Sequence, residues 1–137
     1  MSEYLTALKT TTGWKDKDDW MVLNIIKEIA GRYPVNYGWR QDILDAETTR
    51  EACEEFNITL YSAMGDLNIP ILNNTYNSQF IEDVAKAIAP YMVDGYIEGH
   101  CTGRYKFKVT FVGGRVVIKN DKPKPKAKPK SNELPFA

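Results

Sequence analysis

The sequence predicts an α+β fold in which about three helices pack on a C-terminal three-stranded antiparallel sheet. Three segments place apolar residues at the spacing of an amphipathic helix. The segment before the lysine-rich C-terminus instead alternates apolar and polar residues around a Gly-Gly pair, as antiparallel hairpins do. We expect one domain over residues 1–118, because a chain of 137 residues is long enough to bury a core of its own.

The first helix is predicted from Asp18 to Gly31. Its apolar residues recur at i, i+3, i+4 and i+7, and they are Val22, Ile25, Ile26 and Ile29. An aspartate can cap the start, the glycine can end the helix, and Pro34 prevents its continuation. We expect Trp20 and Met21 to widen the apolar stripe, so that the helix is buried on more than one side.

Residues 33–44 combine proline, asparagine and glycine with three aromatic residues, which predicts an ordered loop whose aromatics cover the edge of the core. A second helix is predicted to begin at a cap residue, Asp45. Two interpretations stay open for residues 58–64, since the helix either ends at Asn57 before an alternating strand or continues to a Gly65 cap. The unbroken helical spacing favours the long helix.

The next part of the chain contains an irregular segment and a third helix. Residues 66–77 hold a proline and four asparagines without a sustained period, so we expect a long loop. The third helix is predicted from Asn77 or Ser78 to Ala89, where Pro90 stops it. Its apolar stripe consists of Ile81, Val84, Ala85 and Ile88.

Residues 95–119 are predicted to form three antiparallel strands. Gly113-Gly114 suits a two-residue hairpin turn, which sets Val112 opposite Arg115. For the preceding turn, burial of Glu98 among aromatic residues would be costly. We therefore expect a three-residue turn over residues 101–103, with Gly103 left-handed, Ile97 opposite Phe107 and Glu98 opposite Lys106.

On this register the solvent-facing side of the sheet carries five cations, tempered by Glu98. They are Arg104, Lys106, Lys108, Arg115 and Lys119. Such a cluster can follow a phosphate backbone, so these residues form the candidate nucleic-acid-binding site. The alternative is that a solvated sheet is basic in order to discourage pairing between edges.

No catalytic or metal-binding motif stands out in the sequence, and we expect a non-enzymatic protein without a cofactor. Cys53 and Cys101 lie far apart, and His100 is the only histidine, which argues against a zinc cluster. Glu98, His100 and Cys101 are close in sequence, but neighbouring strand residues point to opposite faces. The cysteines are expected to be free thiols in a reducing compartment, which predicts a cytoplasmic location. No apolar run is long enough to span a bilayer, so we expect no membrane-spanning segment.

The zero net charge hides an asymmetry between the two ends of the chain. Residues 119–137 hold six lysines against two acidic residues, which leaves twelve basic and sixteen acidic groups in residues 1–118. A basic tail that follows an acidic domain is typical of a tail that interacts with a partner. We predict a Pro/Lys-rich flexible linker over residues 119–131 and a short apolar docking peptide over residues 132–137.

The segment Glu133-Leu134-Pro135-Phe136 resembles the C-terminal tip of bacterial and phage single-stranded DNA-binding proteins, although Ala137 follows the phenylalanine here. In that family the tip docks into basic-rimmed apolar pockets of replication and repair enzymes. The resemblance implies that Glu133, Leu134, Pro135 and Phe136 are partner-docking residues. It does not extend to the domain, whose helical segments do not fit the five-stranded barrel of that family.

These features predict a non-enzymatic accessory protein of nucleic-acid metabolism, of phage type, that recruits or mimics a replication or repair partner through its tail. Its expected partners are a protein that receives the tail and a nucleic acid, with no membrane. The alternative is a protein-binding inhibitor or a structural assembly component that acts through the acidic domain.

Overall fold

The computed structural model describes residues 4–63, 66–102 and 105–121, which form four α-helices and seven β-strands. The helices are α1 (Asp19–Gly31), α2 (Gly38–Leu44), α3 (Thr49–Glu54) and α4 (Ser78–Ile88). The strands are β1 (Leu5–Thr10), β2 (Trp14–Lys15), β3 (Ile58–Ala63), β4 (Leu67–Leu72), β5 (Gly95–Cys101), β6 (Tyr105–Val112) and β7 (Arg115–Asn120). Short 3₁₀ turns at Asp16–Asp18 and Ala89–Tyr91 adjoin α1 and α4.

The strands form two antiparallel sheets, which confirms the α+β class but corrects the predicted arrangement. One sheet has the order β1-β5-β6-β7 and the other the order β2-β4-β3. The predicted three-stranded sheet therefore gains β1 as a fourth strand, and a second sheet is added. The strand pattern of β1 is interrupted by an irregularity between Ala7 and Lys9, where Leu8 is 72% exposed.

Helix α1 is confirmed almost to the residue, but the predicted burial of Trp20 and Met21 is wrong. Their side chains are 70% and 43% exposed, while Val22 and Ile26 are buried in the core. Trp20 precedes Val22 by two residues, which corresponds to roughly 200° around the helix axis. It therefore lies on the side opposite the buried stripe.

The predicted loop over residues 33–44 is wrong in its second half, where α2 forms. A helix of this length with Ile43 as its one buried residue gives no clear period in the sequence. The expected covering of the core edge by aromatics is confirmed. The Trp39 ring lies 5.1 Å from that of Phe56 and 5.0 Å from that of Phe80, and Tyr33 packs on Trp39 at 5.2 Å between ring centroids.

The long second helix is wrong, and the alternative strand is what forms. Helix α3 ends at Glu54, and Asn57 adopts a left-handed conformation with φ of 62°, which breaks the helix before β3. Asp45 follows the end of α2 and does not cap α3. That cap is Thr48, which forms a reciprocal capping box with Glu51.

The loop predicted over residues 66–77 is also wrong, because β4 occupies its first half. A proline in a middle strand normally removes a ladder hydrogen bond. Here Pro70 lies opposite Leu60 of β3, whereas β2 pairs only with Leu67 and Asn68. Pro70 thus sits beyond the end of the short neighbour. Helix α4 follows and confirms the third predicted helix.

The last three strands confirm the predicted antiparallel run and the register of the Gly113-Gly114 hairpin. The register of the other hairpin is wrong by two residues, because Glu98 pairs with Lys108 and Ile97 with Val109. The left-handed residue that the structure describes at that turn is Thr102, with φ of 52°, and Gly103 lies outside the described residues. A shift of two preserves the faces of the strands, so the predicted inward and outward sides stand.

The core is formed by the helices, the inner face of the four-stranded sheet and buried side chains of the three-stranded sheet. Trp14, Phe56, Phe80 and Phe111 are its largest fully buried side chains. Trp14 also donates a hydrogen bond from Nε1 to the Asp19 carboxylate at 2.7 Å, which ties the strand β2 to the start of α1.

Candidate functional site

The outer face of the four-stranded sheet collects the predicted cations. Lys106 and Lys108 project from the central strand β6, and Arg115 and Lys119 project from the edge strand β7. All four residues are exposed. Arg104 lies outside the described residues. Strand alternation alone produces this grouping, because inward-facing apolar side chains such as Phe107, Val116 and Ile118 alternate with the outward-facing residues of each strand.

Strand β1 adds a fifth cation, which the sequence analysis did not include. Lys9 lies opposite Glu98, Glu98 opposite Lys108, and Lys108 opposite Lys119, so one row of four charged residues crosses all four strands. Opposite charges stabilise the first two pairs, whereas Lys108 and Lys119 repel each other. An anion placed over this pair would remove the repulsion. The signal for Lys9 would have been the strand β1, whose pattern the irregularity after Ala7 conceals.

Two acidic residues, Glu98 and Asp121, reduce the positive charge of the outer sheet face. The backbone N–H of Asp121 donates to the Lys106 carbonyl at 2.8 Å, so Asp121 lies beside Lys106 at the end of β7. Within the described ranges, the two salt bridges shorter than 4 Å join Arg32 to Glu28 and Lys86 to Glu82. Neither involves a cation of the sheet face, which leaves these ammonium and guanidinium groups available to an external anion.

Tyr96 on β5 organises two of the lysines. The ammonium nitrogen of Lys108 lies 4.4 Å from the centroid of the Tyr96 ring, and that of Lys9 lies 5.8 Å from it. Hydrogen bonding with Tyr96 raises the pKa of Lys9 above its ordinary value. The sequence pattern indicated no ladder of exposed aromatics among these cations, so Tyr96 was missed as a member of the face. Its position two residues before Glu98 could have revealed it.

The structure separates the neighbouring Glu98, His100 and Cys101 as strand alternation predicts. Cys101 is fully buried on the inner face, opposite Leu5 and Tyr105. His100 lies on the outer face between Thr6 and Lys106. Its Nδ1 atom is buried without a hydrogen-bond partner in the described part of the chain. A thiol and an imidazole on opposite faces of a sheet cannot exchange a proton directly.

The other thiol has no exposed surface of consequence. Cys53 packs in the core on α3, and burial raises its pKa to about 12. A thiolate is the reactive form of cysteine, so this group is inert near neutral pH. In residues 4–63, 66–102 and 105–121, no group of three or more histidine, cysteine, aspartate or glutamate side chains could hold a metal ion.

A cavity of about 270 Å³ lies between α4 and the inner face of the sheet. Its walls include Val84 and Ala85 of α4 together with Phe107, Val109 and Ile118 of β6 and β7. Polar residues of α4 and the sheet stand among the apolar ones, and they are Ser78, Gln79, Glu82, Tyr105 and Asn120. The cavity and the cationic face thus occupy opposite sides of the same sheet.

The predicted docking residues Glu133, Leu134, Pro135 and Phe136 lie outside the described residues, as does the predicted linker beyond Asp121. Among the helices that the structure describes, none is long and apolar enough to cross a membrane. Comparison with protein-family models, with curated proteins and with solved structures finds no match to this chain.

Proposed function

We propose that this chain is a non-enzymatic accessory protein of nucleic-acid metabolism, of phage type, and that its outer sheet face binds a phosphate backbone. The observation that carries the proposal is the group of exposed cations on that face, in which Lys9 joins the four described members of the five that the sequence predicted. Their exposure and the lack of ion pairing in the described chain support a role in binding an external polyanion.

The expected binding is electrostatic and depends strongly on salt. Each phosphate that a lysine or arginine neutralises releases condensed counterions, with a slope of about −0.7 to −0.9 per contact in log K against log salt. If four of the cations engage phosphates, the slope is about −3 to −4. Glu98 and Asp121 reduce the attraction, so we expect affinity in the micromolar range or weaker rather than tight binding.

The test is salt-dependent binding of labelled oligonucleotides by the full chain and by Lys106→Glu/Lys108→Glu. Reversal of two charges at the centre of the face is expected to weaken binding by about tenfold or more at low salt and to reduce the slope by about 2. The matched control is Lys15→Glu/Lys17→Glu, which changes the net charge equally at exposed positions away from the face. Equal loss in both double variants would show that only net charge matters, and no binding by the wild-type chain would refute the proposal.

We further propose that the C-terminal peptide recruits a replication or repair partner, as its resemblance to the tips of single-stranded DNA-binding proteins implies. Phe136 and Leu134 are the residues expected to enter the partner's pocket. In a capture experiment with the full chain as bait, Phe136→Ala is expected to lose enzymes of replication or repair that the wild type retains. Asn132→Ala serves as the control. An unchanged set of captured enzymes in Phe136→Ala would contradict the recruiting role.

A second candidate function is protein binding through the acidic domain, as an inhibitor or an assembly component. The observation that favours it is Trp20, which is 70% exposed in the first turn of α1, next to Met21 and the acidic turn Asp16–Asp18. Exposed tryptophan is enriched at the energetic centres of interfaces. Under this alternative, one captured partner is lost in Trp20→Ala and retained in Phe136→Ala, which is the reverse of the outcome expected above.

A further inference from the structure

Among the described strands, β7 forms one edge of the four-stranded sheet. It is the last strand in the order β1-β5-β6-β7 and pairs with β6 on one side only. The two-residue turn makes Val112 and Arg115 a pair that exchanges both of its backbone hydrogen bonds. The alternation then places Val117 and Lys119 in bonded pairs, and the hydrogen bond from Asp121 to the Lys106 carbonyl at 2.8 Å continues the same series.

The residues between these pairs direct their backbone groups the other way. The N–H and C=O groups of Val116 and Ile118 therefore point to this edge. Their side chains point to the inner face, where both are half-buried. A strand added at this edge would bond to Val116 and Ile118 and would place every second side chain beneath the sheet.

That inner side opens on the cavity. Ile118 lines it from β7, and Ile81, Val84 and Ala85 line it from α4, where they are only half-buried. The volume of about 270 Å³ exceeds the roughly 150 Å³ that accommodates a benzene ring. Within the described part of the chain, helix α4 and the sheet thus leave apolar side chains half-buried beside a strand edge that no other described strand joins.

The outer side of the same strand carries positive charge. Arg115 and Lys119 flank Val117, which is 47% exposed. Antiparallel pairing of β7 with its copy about Val117 would set Arg115 opposite Lys119 on both sides. Like charges directly opposite are destabilising, so the strand disfavours self-pairing and favours an acidic partner.

We propose that β7 binds an extended peptide of a partner protein in which apolar residues alternate with aspartate or glutamate. The peptide adds to the sheet through the backbone groups of Val116 and Ile118. Its apolar side chains enter the cavity beneath α4, and its carboxylates meet Arg115 and Lys119. The site shares Arg115 and Lys119 with the proposed phosphate-binding face, but it adds the edge of β7 and the cavity beneath α4, and so it goes beyond the proposed function.

The probe is a fluorescein-labelled peptide of alternating valine and glutamate, titrated with the full chain at low salt and followed by fluorescence anisotropy. Arg115→Glu/Lys119→Glu is expected to weaken binding by about tenfold or more and to create affinity for the peptide in which lysine replaces glutamate. Both residues are exposed, so the exchange of charge leaves the core intact. Unchanged preference for the acidic peptide would overturn the assignment.

Hydrogen exchange locates the bound peptide. Saturation with the peptide is expected to slow exchange at the amides of Val116 and Ile118, while those of Val117 and Lys119 are already protected by β6. Binding without that slowing would place the peptide elsewhere and overturn the proposal. The proposed function is tested separately by oligonucleotide binding to Lys106→Glu/Lys108→Glu, which changes no residue of β7.

The remaining competitor for this edge is the chain's own C-terminus, which also places Glu133 beside apolar residues. Leu134→Ala/Phe136→Ala in the full chain separates the two occupants. Equal affinity of this variant and the wild type for the peptide supports a partner protein. A peptide affinity about tenfold higher in the variant than in the wild type would show that the chain's own tail occupies the edge. The proposal of a partner protein would then be wrong.

Discussion

Gly99 shows how one residue fixes the contact between two strands. A Cβ atom at this position would lie 1.9 Å from the Thr6 carbonyl oxygen and 2.8 Å from the Ala7 Cα atom. Both atoms belong to the backbone of β1, which cannot move aside without breaking its pairing with β5. Only glycine therefore allows this close approach.

We expect Gly99→Ala to lower the free energy of unfolding by about 2 kcal/mol or more, because the added methyl overlaps backbone atoms. Urea denaturation followed by circular dichroism measures the change. Gly31→Ala is the matched control, since nothing beyond its chain neighbours and the backbone of its own helix lies within 4 Å of its Cβ position, and the helix gains from alanine. If the free energy of unfolding falls no more in Gly99→Ala than in the control, then β1 can shift to accommodate the methyl group at little cost.

At the scale of elements, α3 depends on its cap more than on its length. The helix runs over six residues, too few to be stable by propensity alone. The Thr48 hydroxyl accepts a hydrogen bond from the Glu51 N–H at 3.1 Å, and the Glu51 carboxylate accepts one from the Thr48 N–H at 3.1 Å. The Glu47 N–H donates to the same carboxylate at 2.8 Å.

Thr48→Ala is expected to cost about 1 kcal/mol, which corresponds to a fall in melting temperature of roughly 3–5 °C. Differential scanning calorimetry measures it. Thr59→Ala, at an exposed position of β3, is the control and should change the melting temperature little. Similar shifts in both variants would show that the capping box contributes nothing of its own.

The elements that the sequence predicted correctly are those specified by local pattern. Helices α1 and α4 have an apolar stripe bounded by caps or proline, and the Gly113-Gly114 turn sets the last hairpin by itself. The elements that were missed depend on strands that are distant in the sequence. Strand β1 exists because β5 pairs with it, and Pro70 is tolerated in β4 because β2 is short.

In the candidate site, too, the residues placed by local alternation were predicted, whereas those that depend on distant pairing were not. Alternation within β6 and β7 placed Lys106, Lys108, Arg115 and Lys119 on one face even though the register of β5 was wrong by two residues. Lys9 required knowledge of β1, which no local signal supplied. The cavity depends on how far α4 stands from the sheet, and a sequence pattern carries no such distance.

At the scale of the whole molecule, the reactivity of the two cysteines shows whether the protein unfolds cooperatively. Cys53 lies on α3 and Cys101 on the four-stranded sheet, and both are buried. If the described part of the chain unfolds as one unit, both thiols should react with a thiol reagent at the same rate, set by global opening. Mass spectrometry at increasing urea measures the two rates in Cys53→Ala and Cys101→Ala. A faster reaction of one thiol in the absence of urea would reveal separate opening of its sheet or helix.

The pairing of Leu5 with Cys101 has a consequence during synthesis. The ribosome makes β1 before every other described strand and helix, yet β5, the strand beside it, is translated only after most of the domain. Until then the β1 segment has no ladder to join, and translation must advance well past residue 101 before the nascent chain can close its sheet. We therefore expect the four-stranded sheet to close only after β5 has emerged from the ribosome.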